Sequence, residues 1–494
     1  MIPVPLKTSD EIWNQYASSN PLVKPTKGNL GGKMDYFELE SIDLGPERTR
    51  TIKYTVIAYG QQPLTGFPLF IGLHGGGRGR QEKNDEQWDS MSQNTYGKNV
   101  QNDIKVGVYI AARGIVDDWN LHFRAESYLL LQRLIQNLLL KTPEEVKEVK
   151  VVSPSQLNAN AQHFIDSNCV YVLGFSAGGD GVYRLSTVLS DRFAAANMSA
   201  GHPGGVKFHN LANLPICLQV GEEDGDGRVF INKKTGKPAR ASEYERNQRT
   251  VESAKTLKTL RENNPGFYMY DMFMHPTKEM PGDWAHNSWE DDELSDRGDS
   301  KVFAHWENFR SDRTLESKNA CAVRWVSKKT RTPLFPLIVW DVSPVLEDQP
   351  IIPSEWGQYR FFYWLAVKQS DVAAARLQLP KDPTDAVDTI RARYNGLGQW
   401  VWIVQTPVTL TILLNSNMKF DFTKPIKVFF RGGTQPPAVA QLTLNQYDTV
   451  QEATLKARGD PEYIFSATIV FDPATKTARD GGGLIFSTTP PPSL

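Results

Sequence analysis

Five residues in the middle of the chain have the types and spacing of an activated nucleophile: Gly174-Phe175-Ser176-Ala177-Gly178. Tyr171-Val172-Leu173 lead into them as a short apolar, β-prone run, and residues 181–189 follow with helical spacing. A glycine on either side removes the Cβ atoms that collide when a strand reverses sharply into a helix. The serine between them is then held on a strained turn with its hydroxyl above a sheet. A serine hydroxyl is a weak nucleophile until a base takes its proton. That base works best when a carboxylate orients it and stabilises its charged form. The chemistry therefore demands an acid and a histidine downstream, in that order, each on a loop after a later strand.

Leu214-Pro215-Ile216-Cys217-Leu218-Gln219-Val220 reads as a buried strand, and it ends in Gly221-Glu222-Glu223-Asp224-Gly225-Asp226. Asp224, past the strand-ending glycine, is the expected acid. Asp226 is the reserve, while Glu222 and Glu223 read as solvated. Three histidines lie beyond: His275, His286 and His305. His286 sits in Pro281-Gly282-Asp283-Trp284-Ala285-His286, a loop beyond a strand at 268–273. Loops at the carboxyl ends of strands are where such sites gather, so His286 is the expected base. His275 lies nearer its strand and reads as a core or supporting residue. His305, in an aromatic-rich helical stretch, reads as packed or surface.

An acyl-transfer transition state gathers negative charge on the carbonyl oxygen. Pre-aimed N–H groups stabilise it, each contributing on the order of 10²–10³ in rate. His74-Gly75-Gly76-Gly77 follows an apolar run at 68–73. The N–H groups of Gly75, Gly76 and Ala177 are the expected donors. Alone, H-G-G-G is also what a flexible surface loop looks like; its meaning comes from lying upstream of G-x-S-x-G. Trp119, Phe175 and His202 are expected to line the substrate cleft. Trp88, Phe123, Trp284 and Trp289 are further candidates for an aromatic wall, and a place in the core is the ordinary alternative for any one of them. Residues 75–79 lack the Lys-Ser/Thr ending of a phosphate loop, and no H-E-x-x-H or Cys/His zinc spacing occurs. No metal and no cofactor is expected.

The elements that must position these residues are legible as well. Thr8-Ser9-Asp10-Glu11 reads as a helix start. Strands at 34–40, 52–58, 68–73, 106–111, 170–173, 216–220 and 268–273 are interleaved with helical stretches at 125–140 and 181–189. This points to an α/β fold, a mostly parallel sheet with helices on both faces. Residues 302–309 and 315–326 are expected to close it as a helix or lid, and the basic, proline-containing stretch 328–336 marks a junction. Beyond it, β-branched and aromatic runs at 337–340, 359–367, 400–404, 408–414 and 426–430 predict a smaller, mainly-β domain with one helix-like insertion at 446–458. The expected organisation is an N-terminal lead-in at 1–32, a catalytic domain at 33–330 and a mainly-β C-terminal domain at 336–485.

A chain of 494 residues has room for two such domains. The net charge of -1 and the scattered basic residues exclude a nucleic-acid-binding stripe. No window approaches the ~20 apolar residues of a membrane span. Three cysteines, Cys169, Cys217 and Cys321, form no disulfide framework. A cytoplasmic location is therefore expected, with secretion the alternative if a leader has been removed. Nothing in the sequence speaks to oligomeric state.

Taken together, these motifs resemble the α/β-hydrolase superfamily, in particular its polyhydroxybutyrate-depolymerase-like and feruloyl-esterase-like serine esterases. Asn84-Asp85-Glu86-Gln87-Trp88, Asp117-Asp118-Trp119-Asn120, residues 174–183, Ala200-Gly201-His202-Pro203 and residues 220–225 are similar to a group of uncharacterised, mostly bacterial two-domain hydrolases. Phe362-Tyr363-Trp364-Leu365 and Arg458-Gly459-Asp460-Pro461-Glu462 resemble that group's β-rich C-terminal domain. The resemblance implies Ser176 as nucleophile, Asp224 as acid and His286 as base. The loops at 224–228 and 276–283 depart from the group's pattern. The expected substrate is a small-molecule or polymer ester. Two alternatives use the same residues: a serine peptidase of the prolyl-oligopeptidase type, and a catalytically inactive hydrolase-fold binding module.

Overall fold

The computed structural model describes residues 9–19, 25–42, 50–76, 79–93, 96–118, 121–123, 125–140, 154–161, 163–221, 224, 229–231, 238–240, 246–275, 301–302, 315–316, 321–342, 359–368, 370–371, 389–430, 436–442 and 447–482. They fall into two compact units.

The larger unit runs to Arg331. Its strands are β1 (Thr26–Leu30), β2 (Met34–Ile42), β3 (Arg50–Tyr59), β4 (Phe67–Leu73), β5 (Gly107–Ala112), β6 (Ile165–Phe175), β7 (Ala195–Ser199), β8 (Ile216–Gly221), β9 (Val229–Ile231), β10 (Pro238–Arg240), β11 (Tyr270–His275), β12 (Lys301–Val302) and β13 (Leu315–Glu316). Nine of them form one mixed sheet in the order β1-β2-β3-β5-β4-β6-β7-β8-β11. The first three strands pair antiparallel, and every pair from β5-β4 to β8-β11 is parallel. The central strands are apolar on both faces, with Leu69, Phe70, Ile71, Val172, Leu173, Ile216 and Leu218 fully buried. That is the pattern of a parallel sheet covered on both sides.

Neighbouring residues of β4 show the two coverings. Successive side chains of a strand point to opposite faces. On one face Gly72 lies against the Tyr109 ring, whose hydroxyl donates to the Met91 carbonyl of the helix Gln81–Gln93 at 2.8 Å. On the other, Leu73 Cδ1 meets the position of Gly181 in the helix Ala177–Val188. Most of the expected closing segment, residues 303–314 and 317–320, lies outside the described residues. Among the described residues there, β12 and β13 pair antiparallel, and Ala322–Val326 is helical, burying Ala322, Val323 and Val326. No helix among the described residues is long and apolar enough to cross a membrane.

In the smaller unit, β14 (Leu337–Asp341), β15 (Tyr359–Phe362), β16 (Leu365–Lys368), β17 (Thr389–Asn395), β18 (Trp400–Gln405), β19 (Leu410–Leu414), β20 (Ile426–Phe430), β21 (Ala438–Ala440), β22 (Ala467–Asp472) and β23 (Thr477–Asp480) make two five-stranded sheets, β14-β17-β18-β20-β21 and β15-β16-β19-β22-β23. Both contribute to one core, including Trp340, Ile403 and Val428 from the first and Leu365, Ile412 and Phe471 from the second. The helix Tyr447–Arg458 packs against the helix Ser9–Ser19 from the other end of the chain.

Candidate active site

The elbow forms where β6 ends. Ser176 has φ 56° and ψ −120°, and Ala177 opens the helix behind it. An L-residue held at such a φ costs on the order of 1–3 kcal/mol, so the surroundings must over-determine it. They do so through hydrogen bonds and close packing. Ser176 N–H donates to the Ser199 carbonyl of β7 at 2.9 Å, and Asp180 N–H donates to the Ser176 carbonyl at 3.0 Å. The flanking glycines are required by close approach. A Cβ on Gly174 would lie 2.3 Å from the Gly178 carbonyl oxygen, and one on Gly178 would lie 2.0 Å from the Leu73 carbonyl oxygen. The elbow helix therefore sits directly on the end of β4, from which the H-G-G-G segment emerges.

That segment is held by its own histidine. His74 is fully buried, with Nδ1 2.6 Å from the Gly75 carbonyl and Nε2 2.9 Å from Gly114 N. A backbone N–H can only donate, so Nε2 accepts and Nδ1 carries the proton it gives to Gly75. Burial holds the ring neutral, its pKa pushed down to about 3, with the Arg113 charge adding to the effect. Because the peptide is planar and trans, fixing the Gly75 carbonyl turns the Gly76 N–H to the opposite side. A Cβ on Gly75 would stand 3.3 Å from Ser176 Cβ and 3.0 Å from Gln87 Oε1. Gly75 thus abuts the serine, and the exposed Gln87 amide borders the same space. Gly77 lies outside the described residues.

Arg113, at the end of β5, braces the loop from below. It donates to Asp85 Oδ1 at 2.8 Å and to the Gly114 carbonyl at 2.7 Å, and it pairs with Asp117. Asn84 Nδ2 donates to the same Asp117 carboxylate at 3.2 Å. The Asn84-Asp85 and Asp117-Asp118 motifs therefore meet around one guanidinium. Trp88, a candidate for the aromatic wall, is instead buried, its Nε1 donating to the Ala111 carbonyl at 2.9 Å.

Asp224 lies just past β8 and is 1% exposed. Its N–H donates to the Gly221 carbonyl at 3.2 Å, and its own carbonyl accepts Asn247 N–H at 3.0 Å from the first turn of the helix Arg246–Asn263. The expected base His286, the reserve acid Asp226, and Trp119, Trp284, Trp289 and His305 all lie outside the described residues. Phe175 is buried in the core of the sheet. His202 is half-buried: its N–H donates to Asp180 Oδ1 at 2.5 Å, and its Nδ1 accepts Gly204 N–H at 3.0 Å. Phe123 packs over Gly204 and under the Arg184 guanidinium.

His275 is the last residue of β11 and is fully buried, its pKa pushed down to about 3 by that burial. It heads a polar chain that sequence reasoning missed. His275 Nε2 donates to Gln219 Oε1 at 2.8 Å, Gln219 Nε2 to Asn197 Oδ1 at 2.9 Å, and Asn197 Nδ2 to Ser199 Oγ at 2.9 Å. Tyr96 OH also reaches Ser199 Oγ, at 3.3 Å. The chain ends on the residue whose carbonyl pins Ser176 N–H. The signal for it was polar residues two apart in otherwise apolar strands, Asn197 and Ser199. Among the described residues no group of three or more His, Cys, Asp or Glu side chains is placed to hold a metal ion.

No family model matches the chain, and no curated protein matches it in sequence. Among solved structures it is similar to a thermostable esterase, at 17% identity and a TM-score of 0.36, over 60% of this chain and 62% of the esterase chain. It thus spans less than two thirds of that esterase's length. It is also similar to poly(aspartic acid) hydrolase-1 from Sphingomonas sp. KT-1, at 14% identity and a TM-score of 0.31, over 53% of this chain and 96% of the other. A third is FphF, a fluorophosphonate-binding serine hydrolase of Staphylococcus aureus, at 11% identity and a TM-score of 0.31, over 62% and 99% of the two chains.

Proposed function

We propose that the larger unit is an α/β-hydrolase that cleaves carboxylic esters through an acyl-enzyme. The observation that carries the proposal is Ser176 held at φ 56° between a buried strand and a helix, with Gly75 of the preceding strand end against it. Asp224, buried at the end of β8, supports the assignment of the acid. In this scheme Ser176 Oγ attacks the ester carbonyl while His286 takes its proton. Asp224 orients the imidazole and stabilises its charged form. The N–H groups of Gly75, Gly76 and Ala177 receive the developing oxyanion. His286 then protonates the departing alkoxide, and water, activated by the same base, releases the acid and regenerates Ser176. His74 contributes indirectly: as a neutral donor to the Gly75 carbonyl, it sets the direction of the next N–H. Catalysis is assigned to residues 33–330. Trp119, Phe175 and His202 remain the proposed cleft residues, with Phe175 acting through its backbone, because its side chain is in the core.

The experiment is active-site labelling with a fluorophosphonate at neutral pH, followed by peptide mapping. The expected adduct is on Ser176. An unlabelled protein, or an adduct elsewhere that leaves ester turnover intact, would refute the assignment. A panel of p-nitrophenyl esters and aminoacyl amides then separates esterase from peptidase.

A further inference from the structure

Two residues given no role in the chemistry above join the elbow to the acid turn. Arg246 is the first residue of the helix Arg246–Asn263, and its guanidinium is almost fully buried. Its Nη1 donates to Asp180 Oδ1 at 3.0 Å and to the Ala200 carbonyl at 2.5 Å. Asp180 lies in the first turn of the elbow helix, where its N–H holds the Ser176 carbonyl. The same Oδ1 accepts His202 N–H, so one carboxylate oxygen ties together the elbow helix, the exit from β7 and Arg246. On the other side, the next residue, Asn247, gives its N–H to the Asp224 carbonyl at 3.0 Å. The result is a short path from the serine peptide through Asp180, Arg246 and Asn247 to the acid peptide.

Apolar side chains of similar volume would hold these elements together about as stably, because the desolvation of a largely buried guanidinium and a half-buried carboxylate offsets much of their attraction. What an ion pair adds is direction. The guanidinium fixes distance and angle to both the carboxylate and the Ala200 carbonyl, and Ala200 is itself at φ 50°, a strained conformation that such a contact helps hold. We propose that Arg246 and Asp180 are positioning residues, a partly buried strut that fixes the Asp224 turn against the Ser176 elbow. The proposal rests on the catalytic assignment above and deepens it. The strut touches no reacting atom. It acts by keeping the acid where it can orient the base.

A misplaced acid has two consequences. The turnover step slows, since an error of about 1 Å costs on the order of 10²-fold. The base also loses the carboxylate that favours its charged form, so its pKa falls and the acid limb of the kcat/KM profile moves to lower pH. The variants are Asp180→Asn, Arg246→Lys and the apolar double Asp180→Leu/Arg246→Met. The measurements are kcat, KM, the pH profile, the fluorophosphonate labelling rate and the melting temperature. Expected are a kcat lower by about 10²-fold with KM changed less than about threefold, and an acid limb displaced downward. The double variant should recover melting temperature without recovering kcat. Asp180→Asn, which keeps shape and one acceptor oxygen, serves if the double variant does not fold. A lowered melting temperature with kcat and the acid limb unmoved would overturn the strut, as would a lowered kcat with the limb in place. Failure of the catalytic assignment looks different: the unmodified protein would not label at Ser176.

Discussion

Gly178→Ala offers a stringent test of the site geometry, because it changes one methyl group between the two elements that the proposed oxyanion hole brings together. The new Cβ would lie 2.0 Å from the Leu73 carbonyl oxygen, 2.6 Å from its carbon and 2.8 Å from the His74 carbonyl oxygen. Ordinary contact begins at 3.4 Å, so the elbow helix and the end of β4 must separate by 3.4 − 2.0 = 1.4 Å. β4 lies inside the sheet, paired on both sides by β5 and β6, and cannot yield alone. The opposing atoms are backbone, which leaves no side chain to rotate away. Overpacking of this kind costs about 1–3 kcal/mol. For a unit of this size that is a fall in melting temperature of about 2–4 °C per kcal/mol. The catalytic cost is larger. The Ala177 N–H moves with the helix, and the Gly75 and Gly76 N–H groups stay with β4. A displacement of 1 Å or more then lowers kcat by about 10²-fold, close to 2.7 kcal/mol of transition-state stabilisation. The assay is p-nitrophenyl ester turnover beside a thermal melt. Gly266→Ala is the control: it carries the strain of φ +91° but meets no atom within 4 Å. A Gly178→Ala enzyme with wild-type kcat would refute the convergence of the two elements on one oxyanion.

Further expectations concern single groups. Ser176→Ala should lower kcat by about 10⁴-fold or more, and an unchanged rate would remove it as nucleophile. His286→Ala should abolish turnover in a folded protein, whereas His275→Ala should chiefly lower the melting temperature, since His275 is committed to Gln219 in the core; the reverse outcome would exchange their roles. His74 and His275 are held neutral with pKa values near 3 against an ordinary 6.5. Between those values the unfolded chain binds protons that the folded chain refuses. Stability therefore rises with pH across that window and is lost as pH falls through it, at up to about 1.4 kcal/mol per pH unit for each histidine. Urea midpoints measured from pH 7 to pH 4.5 should show this slope, and His275→Gln should flatten it. An identical slope in that variant would contradict the assignment.

Much of the candidate site is legible in the sequence because local backbone geometry dictates residue type. Gly174 and Gly178 are glycines because neighbouring carbonyls leave no room for a Cβ, and that demand shows in the sequence as G-x-S-x-G. The strands feeding the site are legible because burial on both faces leaves only apolar runs, and β20 begins and ends at the residues its composition indicates. Asp224 could be named as a carboxylate just past a strand end. Other features had no local cause. The run at 359–367 reads as one strand, yet it is the hairpin of β15 and β16, turning through Tyr363 at φ 52° with Tyr363 and Trp364 both buried. Core burial of two large rings there outweighs the usual demand for glycine or asparagine in a turn.

The long-range polar contacts were equally hidden. Arg246 stands in a polar, charged stretch, and its partner Asp180 is 66 positions away. Asn197, Gln219 and His275 acquire a common role only because β7, β8 and β11 are neighbours in the sheet. The sequence by itself therefore determined the serine, the glycines around it and the order of the elements, since each answers to sterics or burial within a few residues. Only the tertiary structure decided what fixes those elements against one another, because a hydrogen bond or ion pair depends on which strands and helices come to lie side by side.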